Sequence, residues 1–209
     1  MDLFVLVAGP NDRSAIEGIL AKNRRLGIRA IESQVRTRAG WRDAEVFRMC
    51  HDFLRSQQRF ADFALVVFDR KDCGRKRPRE ALEEEVEGRL AANGWANRSA
   101  AVVIDPELEA WVWSDSPHVE TALGWTKGRA RLEEWLTQEG FLHSGLQKPE
   151  QPKEAVEKLL RLSKTPYSSS IFRELAEQVS FERCSDPAFL KLKQVLRQWF
   201  PLGDSRGEA

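Results

Sequence analysis

The chain has 209 residues, 42% of them hydrophobic and 31% charged, with a formal net charge of +1. A chain of this length can bury a sizeable core, and its near-neutral balance excludes a broad polycationic surface, so any nucleic-acid contact must be a local patch. Cys50, Cys73 and Cys184 lie far apart, with no CxxC and no paired histidine, which fits free thiols in a reducing compartment better than a disulfide framework or a zinc site.

Leu3 to Val7 reads as a buried strand, followed by the turn Ala8-Gly9-Pro10 and a helix that Asn11 or Asp12 can cap, with Ile16, Ile19 and Leu20 on one face. Gly27 closes that unit. Ile28 to Val35 alternates well enough for a second strand at an edge. Asp43 opens a helix carrying Val46, Met49, Cys50 and Phe53 inward. The run Ala61-Asp62-Phe63-Ala64-Leu65-Val66-Val67-Phe68-Asp69 is strand-length, continuously apolar after Asp62 and ends in acid, as for a strand covered on both faces. Residues 71–79 form a loop, Leu82, Val86 and Leu90 mark a helix ended by Gly94, and Ala100 to Ile104 is a fourth strand. Such β-α alternation predicts a mostly parallel sheet with right-handed crossovers. Beyond Glu107 only helices are predicted: 108–113, 119–125, 132–139, 153–163, 171–179 and 187–200. Asp186 caps the last and Phe189, Leu192, Leu196 and Trp199 share its inner face. The expected organisation is one α/β domain over 1–201, with its sheet in about 1–115, its helical part in about 116–201, and a disordered tail at 202–209. No apolar run approaches the roughly 18 residues of a membrane span and no charged leader precedes the first strand, so a cytoplasmic protein is expected.

Functional groups in open α/β sheets gather past the carboxyl ends of strands. There the chain places Asp69, Asp72, Glu107 and Glu109, oxygen ligands suited to a hard cation such as Mg²⁺ and, with it, to phosphodiester cleavage. Carboxylates at strand ends also serve merely as helix caps and ion-pair partners. Beside Asp69 the loop carries Lys71, Arg75, Lys76 and Arg77, a set that can meet phosphates or simply be solvated. The seven tryptophans fall mostly on apolar helical faces, so core packing explains them better than base stacking. Gly9-Pro10-Asn11-Asp12 lacks the glycine pattern of a dinucleotide or P-loop site, and no nucleophile triad stands out.

Leu6-Val7-Ala8-Gly9-Pro10-Asn11-Asp12 and Val67-Phe68-Asp69-Arg70-Lys71-Asp72 resemble the two metal-site motifs of the TOPRIM fold shared by topoisomerases, primases and OLD-type nucleases. Pro106-Glu107-Leu108-Glu109-Ala110-Trp111-Val112-Trp113, Pro152-Lys153-Glu154-Ala155, Tyr167-Ser168-Ser169 and Ser185-Asp186-Pro187-Ala188-Phe189 resemble further signatures of a bacterial TOPRIM-like family. That family includes the small fourth component of the methylation-associated anti-phage defence system. The resemblance implies Asp69, Asp72 and Glu109 as metal ligands, Mg²⁺ as cofactor, and other defence components and nucleic acid as partners. Two departures stand out: Ala8 replaces the first motif's glutamate, the implied general acid/base, and Lys71 replaces the second aspartate, with Asp72 one step late. They favour a degenerate site that senses nucleic acid or scaffolds larger components, over a divergent Mg²⁺-dependent nuclease. A nucleotide-binding regulator using the same crevice is a third possibility.

Overall fold

Strands with apolar side chains on both faces need cover on both, and the chain supplies it with helices drawn from its two halves. A computed structural model describes residues 1–182 and 184–202. Strands β1 (Leu3–Val7), β2 (Ser33–Arg36), β3 (Phe63–Asp69) and β4 (Ser99–Ile104) form one sheet in the order β2-β1-β3-β4, every pair parallel. The helices are α1 (Pro10–Leu20), α2 (Asn23–Leu26), α3 (Asp43–Arg55), α4 (Arg79–Leu90), α5 (Glu109–Val112), α6 (Pro117–Ala122), α7 (Arg129–Gln138), α8 (Pro152–Ser163), α9 (Ser169–Gln178) and α10 (Pro187–Trp199). The expected α/β class, with a parallel sheet and a helical C-terminal half, is what is found.

Alternation along the strands separates two cores. Leu3, Val5, Val7, Leu65 and Val67 face α1 together with α8, α9 and α10, whereas Phe4, Leu6, Val66 and Phe68 face α3 and α4. The helix α1 approaches α9 so closely at Gly18 that a Cβ there would stand 2.8 Å from the Cβ of Ala176. That approach carries the start of α9 to the carboxyl end of β1. The edge strand β4 is closed by side chains: Glu87 and Glu83 of α4 accept from the backbone N–H groups of Ala101 and Val103, and Lys191 of α10 bridges both carboxylates. A paired edge cannot recruit another strand.

Several local expectations shift. Only the end of 28–35 is strand, because Ile28 bridges to Pro201 and Arg29 donates to Phe200, so the chain's end takes the place of a sheet neighbour. The inward stripe of α3 is Val46, Phe47, Cys50 and Leu54, leaving Met49 exposed. The predicted helix at 108–113 is one turn, since the indoles of Trp111 and Trp113 bond Asp186 and the Pro152 carbonyl across the fold. Gly9, not Asn11 or Asp12, is the N-cap of α1. Of the tail expected at 202–209, Leu202 is exposed and 203–209 lie outside the described residues. No described helix is long and apolar enough to cross a membrane.

Phe189, Leu192 and Leu196 of α10 are buried as expected, but Trp199 is half-buried, stacked on Phe63 at 4.7 Å between ring centroids. Leu196→Ala therefore costs about 2–5 kcal/mol by the cavity it leaves, and Trp199→Ala costs less because part of its ring already meets water. Denaturant melts of the two variants test that order.

Candidate functional site

In the order β2-β1-β3-β4 the chain leaves β1 toward β2 on one side and later fills β3 and β4 on the other, so the crossovers part between β1 and β3. Ligand crevices of open α/β sheets lie at such a switch point, outside the carboxyl ends of the strands. A cleft of about 130 Å³ sits there, lined by Ala8 and Gly9 after β1, Asp69 at the end of β3 and Asp72 beyond it, Asp12 of α1, Arg42 just before α3 and Asp43 of α3, Glu109 of α5, Lys153 of α8, and by Asn11, Leu108 and Tyr167. Ala8, Asp69 and Glu109, far apart in sequence, thus share one crevice.

Asp69 is the last residue of β3. Its N–H donates to Asp43 Oδ1 at 2.8 Å, while its own Oδ1 is sealed from solvent and has no hydrogen-bond partner. Burial, with Asp12 and Asp43 adding negative charge, pushes its carboxyl well above the usual range, against a backbone hydrogen bond from Leu108. Asp12, third residue of α1 and nearly buried, accepts from Gly9 N–H at 2.9 Å through Oδ2, and its Oδ1 is likewise sealed and unpartnered. Burial and Asp43 raise it to about 7. Asp43, first residue of α3, is raised by burial, in part offset by the bond from Asp69 N–H. Glu109 is buried and raised by it, against the Tyr167 hydroxyl that donates to Oε1 at 2.6 Å. Tyr167 in turn accepts from Asn11 Nδ2 at 3.0 Å, and Asn11 Oδ1 accepts from Ser169 at 2.8 Å, tying the α8–α9 loop across the cleft. The first turns of α1 and α3 favour anions there through their N-terminal dipoles.

The remaining predicted residues divide. Asp72 is exposed at the rim. Glu107 is buried away from the cleft, accepting from Lys153 N–H and pairing with Lys71 at 3.2 Å. Lys71, expected to meet phosphate, is instead held by Glu107 and by Glu154 at 2.9 Å. Arg77 pairs with Glu85 at 2.6 Å, whereas Arg75 and Lys76 are exposed and make no ion pair among the described residues. Lys153, second residue of α8, lines the cleft; burial opposes its charge, but Glu109, Glu107 and Asp72 outweigh that and raise it.

Reading the sequence missed Asp12, Asp43, Lys153 and Tyr167 as site residues. A signal existed for the two aspartates: each is an acid in the first turn of a helix that follows a strand, and such helices begin at the carboxyl edge of a parallel sheet. The fit to a hard divalent ion rests on the donors, which are carboxylate oxygens, two of them buried without a partner. Among the described residues, no three Asp, Glu, His or Cys side chains yet stand close enough together to hold an ion. Comparisons with protein-family models, with curated proteins and with solved structures returned no match.

Asp12 gives a signed pH test. Its folded pKa of about 7 lies above the unfolded value of 3.8, so the folded state holds the extra proton between them. Its contribution is then greatest below about pH 4 and is lost as pH rises through 7. Asp12→Asn keeps an acceptor for Gly9 N–H but removes the titration. The variant should melt higher than wild type at pH 8, with the difference shrinking toward pH 5. A constant difference across that range contradicts the assignment.

Proposed function

We propose that the cleft is a divalent-cation site acting on nucleic-acid phosphodiesters, as in a divergent Mg²⁺-dependent nuclease. The observation that carries this reading is the pair of solvent-sealed, unpartnered oxygens, Asp12 Oδ1 and Asp69 Oδ1, in a cleft with three further carboxylates. Confining like charges in a poorly hydrated notch raises their pKa values, and a cation stabilises the same carboxylates without the protons. Asp12 and Asp43 bring to this notch the negative charge that Ala8 lacks.

When bound, the ion supplies positive charge to a phosphate and acidifies water. The chain's own groups do the rest. Asp12, Asp43 and Asp69, with Asp72 and Glu109 on the same cleft, are the residues that would hold the ion. Lys153, which lines the same cleft, would present positive charge to an incoming phosphate. Glu109 has one oxygen fixed by Tyr167, and its raised pKa suits taking a proton from attacking water.

The resemblance to TOPRIM-like motifs supports a setting in anti-phage defence alongside larger components, and the free thiols support a cytoplasmic one. A second reading, a nucleic-acid sensor or scaffold without catalysis, is favoured by Ala8 and by the spacing of the carboxylates, no three of which are yet close enough for an ion.

Titration calorimetry with Mn²⁺ and Mg²⁺, paired with cleavage assays on DNA and RNA, separates the readings. Wild type should bind Mn²⁺ with proton release near pH 7 and cleave in its presence, and both Asp69→Asn and Asp12→Asn should weaken binding at least tenfold. An ion saturating at a hundredfold over its Kd adds about 2.7 kcal/mol to stability, readable as a higher melting temperature. Binding without cleavage favours the sensor. Absence of both ion binding and a thermal shift excludes a cation site.

A further inference from the structure

We propose that the end of β2 and its connection to α3, with Arg36, Arg38 and Arg42, form the arm that grips the backbone of a nucleic-acid strand whose scissile phosphate enters the cleft. This rests on the nucleic-acid reading above and adds where the polymer lies. The segment Arg36-Thr37-Arg38-Ala39-Gly40-Trp41-Arg42 holds three arginines in seven residues and no acid, in a chain whose net charge is only +1. All three arginines are exposed. Nearby Arg29 and Arg48 are paired with Asp2 and Glu45, yet these three make no ion pair with any described residue. Arg36 lies against the neutral amide of Gln34.

Topology brings the segment to the working edge of the sheet. Arg36 is in register with Leu6, two residues before Ala8 of the cleft, and the segment ends at Arg42, which itself lines the cleft beside Asp43. Arg38 is braced. Its guanidinium stands 4.7 Å from the ring centroid of Trp41 and 5.7 Å from that of Phe53, and those rings pack at 5.6 Å. Stacking of this kind fixes a flexible side chain before binding and leaves its N–H donors free. On the other flank of α3, Arg75 lies 5.7 Å from the Phe47 ring, with exposed Lys76 following it. Two basic loops thus bracket α3.

The ligand class follows from this spread. A mononucleotide held at the cleft uses Arg42 and Lys153 and leaves Arg36 and Arg38 without a partner. A polymer, with charge recurring along its length, engages the cleft and the arm together. The acidic cleft repels that polymer unless an ion is bound, so the cations on the arm supply the attraction that steers it in.

The test measures binding of a fluorescein-labelled single strand and of the corresponding duplex in EDTA across a salt series, for wild type and Arg36→Gln/Arg38→Gln. Wild type should bind with salt-dependent affinity. The double variant should bind more weakly, with a log–log salt slope shallower by about 1.8 on duplex or about 1.4 on the single strand. Arg36→Gln alone alters an exposed side chain and should remove about half of that, which keeps the test open if losing Arg38 from its aromatic seat unfolds the protein. Equal affinity and slope in wild type and variants overturn the proposal, as does wild type that binds neither substrate. Working in EDTA keeps this outcome apart from the cation reading, which stands or falls on Mn²⁺ binding.

Discussion

Like charge held out of water at the carboxyl end of β3 is the constraint around which this molecule is arranged. Asp69 cannot turn away, because it ends a central strand whose backbone is fixed by neighbours on both sides. Asp12 and Asp43 cannot withdraw either, since each lies in the first turn of a helix anchored on an opposite face of the sheet. Three carboxylates thereby line one cleft where burial disfavours ionisation, and their pKa values rise. A fold that needed only stability would gain from replacing one of them with an uncharged residue. Concentrated electrostatic cost of this sort is characteristic of functional sites.

The surroundings contain the cost rather than remove it. Backbone N–H groups of Gly9, Asp69 and Leu108 each serve one carboxylate, and the dipoles of α1 and α3 add partial positive charge. Glu107, which is equally buried, is treated differently: it pairs with Lys71 and accepts from the start of α8, so it acts as a strut between the β3 loop and the C-terminal helices. The same division appears at the far edge, where Glu83 and Glu87 are bonded to the β4 backbone and to Lys191. In the cleft, by contrast, Asp12 Oδ1 and Asp69 Oδ1 are sealed from solvent without a partner.

The helical C-terminal half is more than a cover for the sheet. Its helix α8 presents Lys153, and the α8–α9 loop presents Tyr167, which holds Glu109 and reaches Asn11 of α1. The tight contact at Gly18 fixes α9 against α1, so the position of Tyr167 depends on helix packing well away from the cleft. Site geometry and core packing are therefore coupled through α1.

Local pattern alone was enough to place β1, β3 and β4 in a parallel sheet, because buried parallel strands must be unbroken apolar runs and crossover helices must be amphipathic. It also marked Asp69, since an acid closing such a run can be nowhere but the sheet's edge, whereas Glu109, five residues past β4, was set apart from Glu107 only through the motif resemblance. Where the pattern was weak, at 28–35 and 108–113, partners distant in sequence decided: Phe200 and Pro201 for the first, Asp186 and Pro152 for the second. Only tertiary structure chose which charges are free. Lys71 and Arg77 read as phosphate ligands until Glu107, Glu154 and Glu85 are found beside them, and Asp12 read as a helix cap until its second oxygen is found sealed from solvent with no partner. Ionic partnership acts over a few ångströms of space, irrespective of separation along the chain, so no spacing rule in the sequence can reveal it.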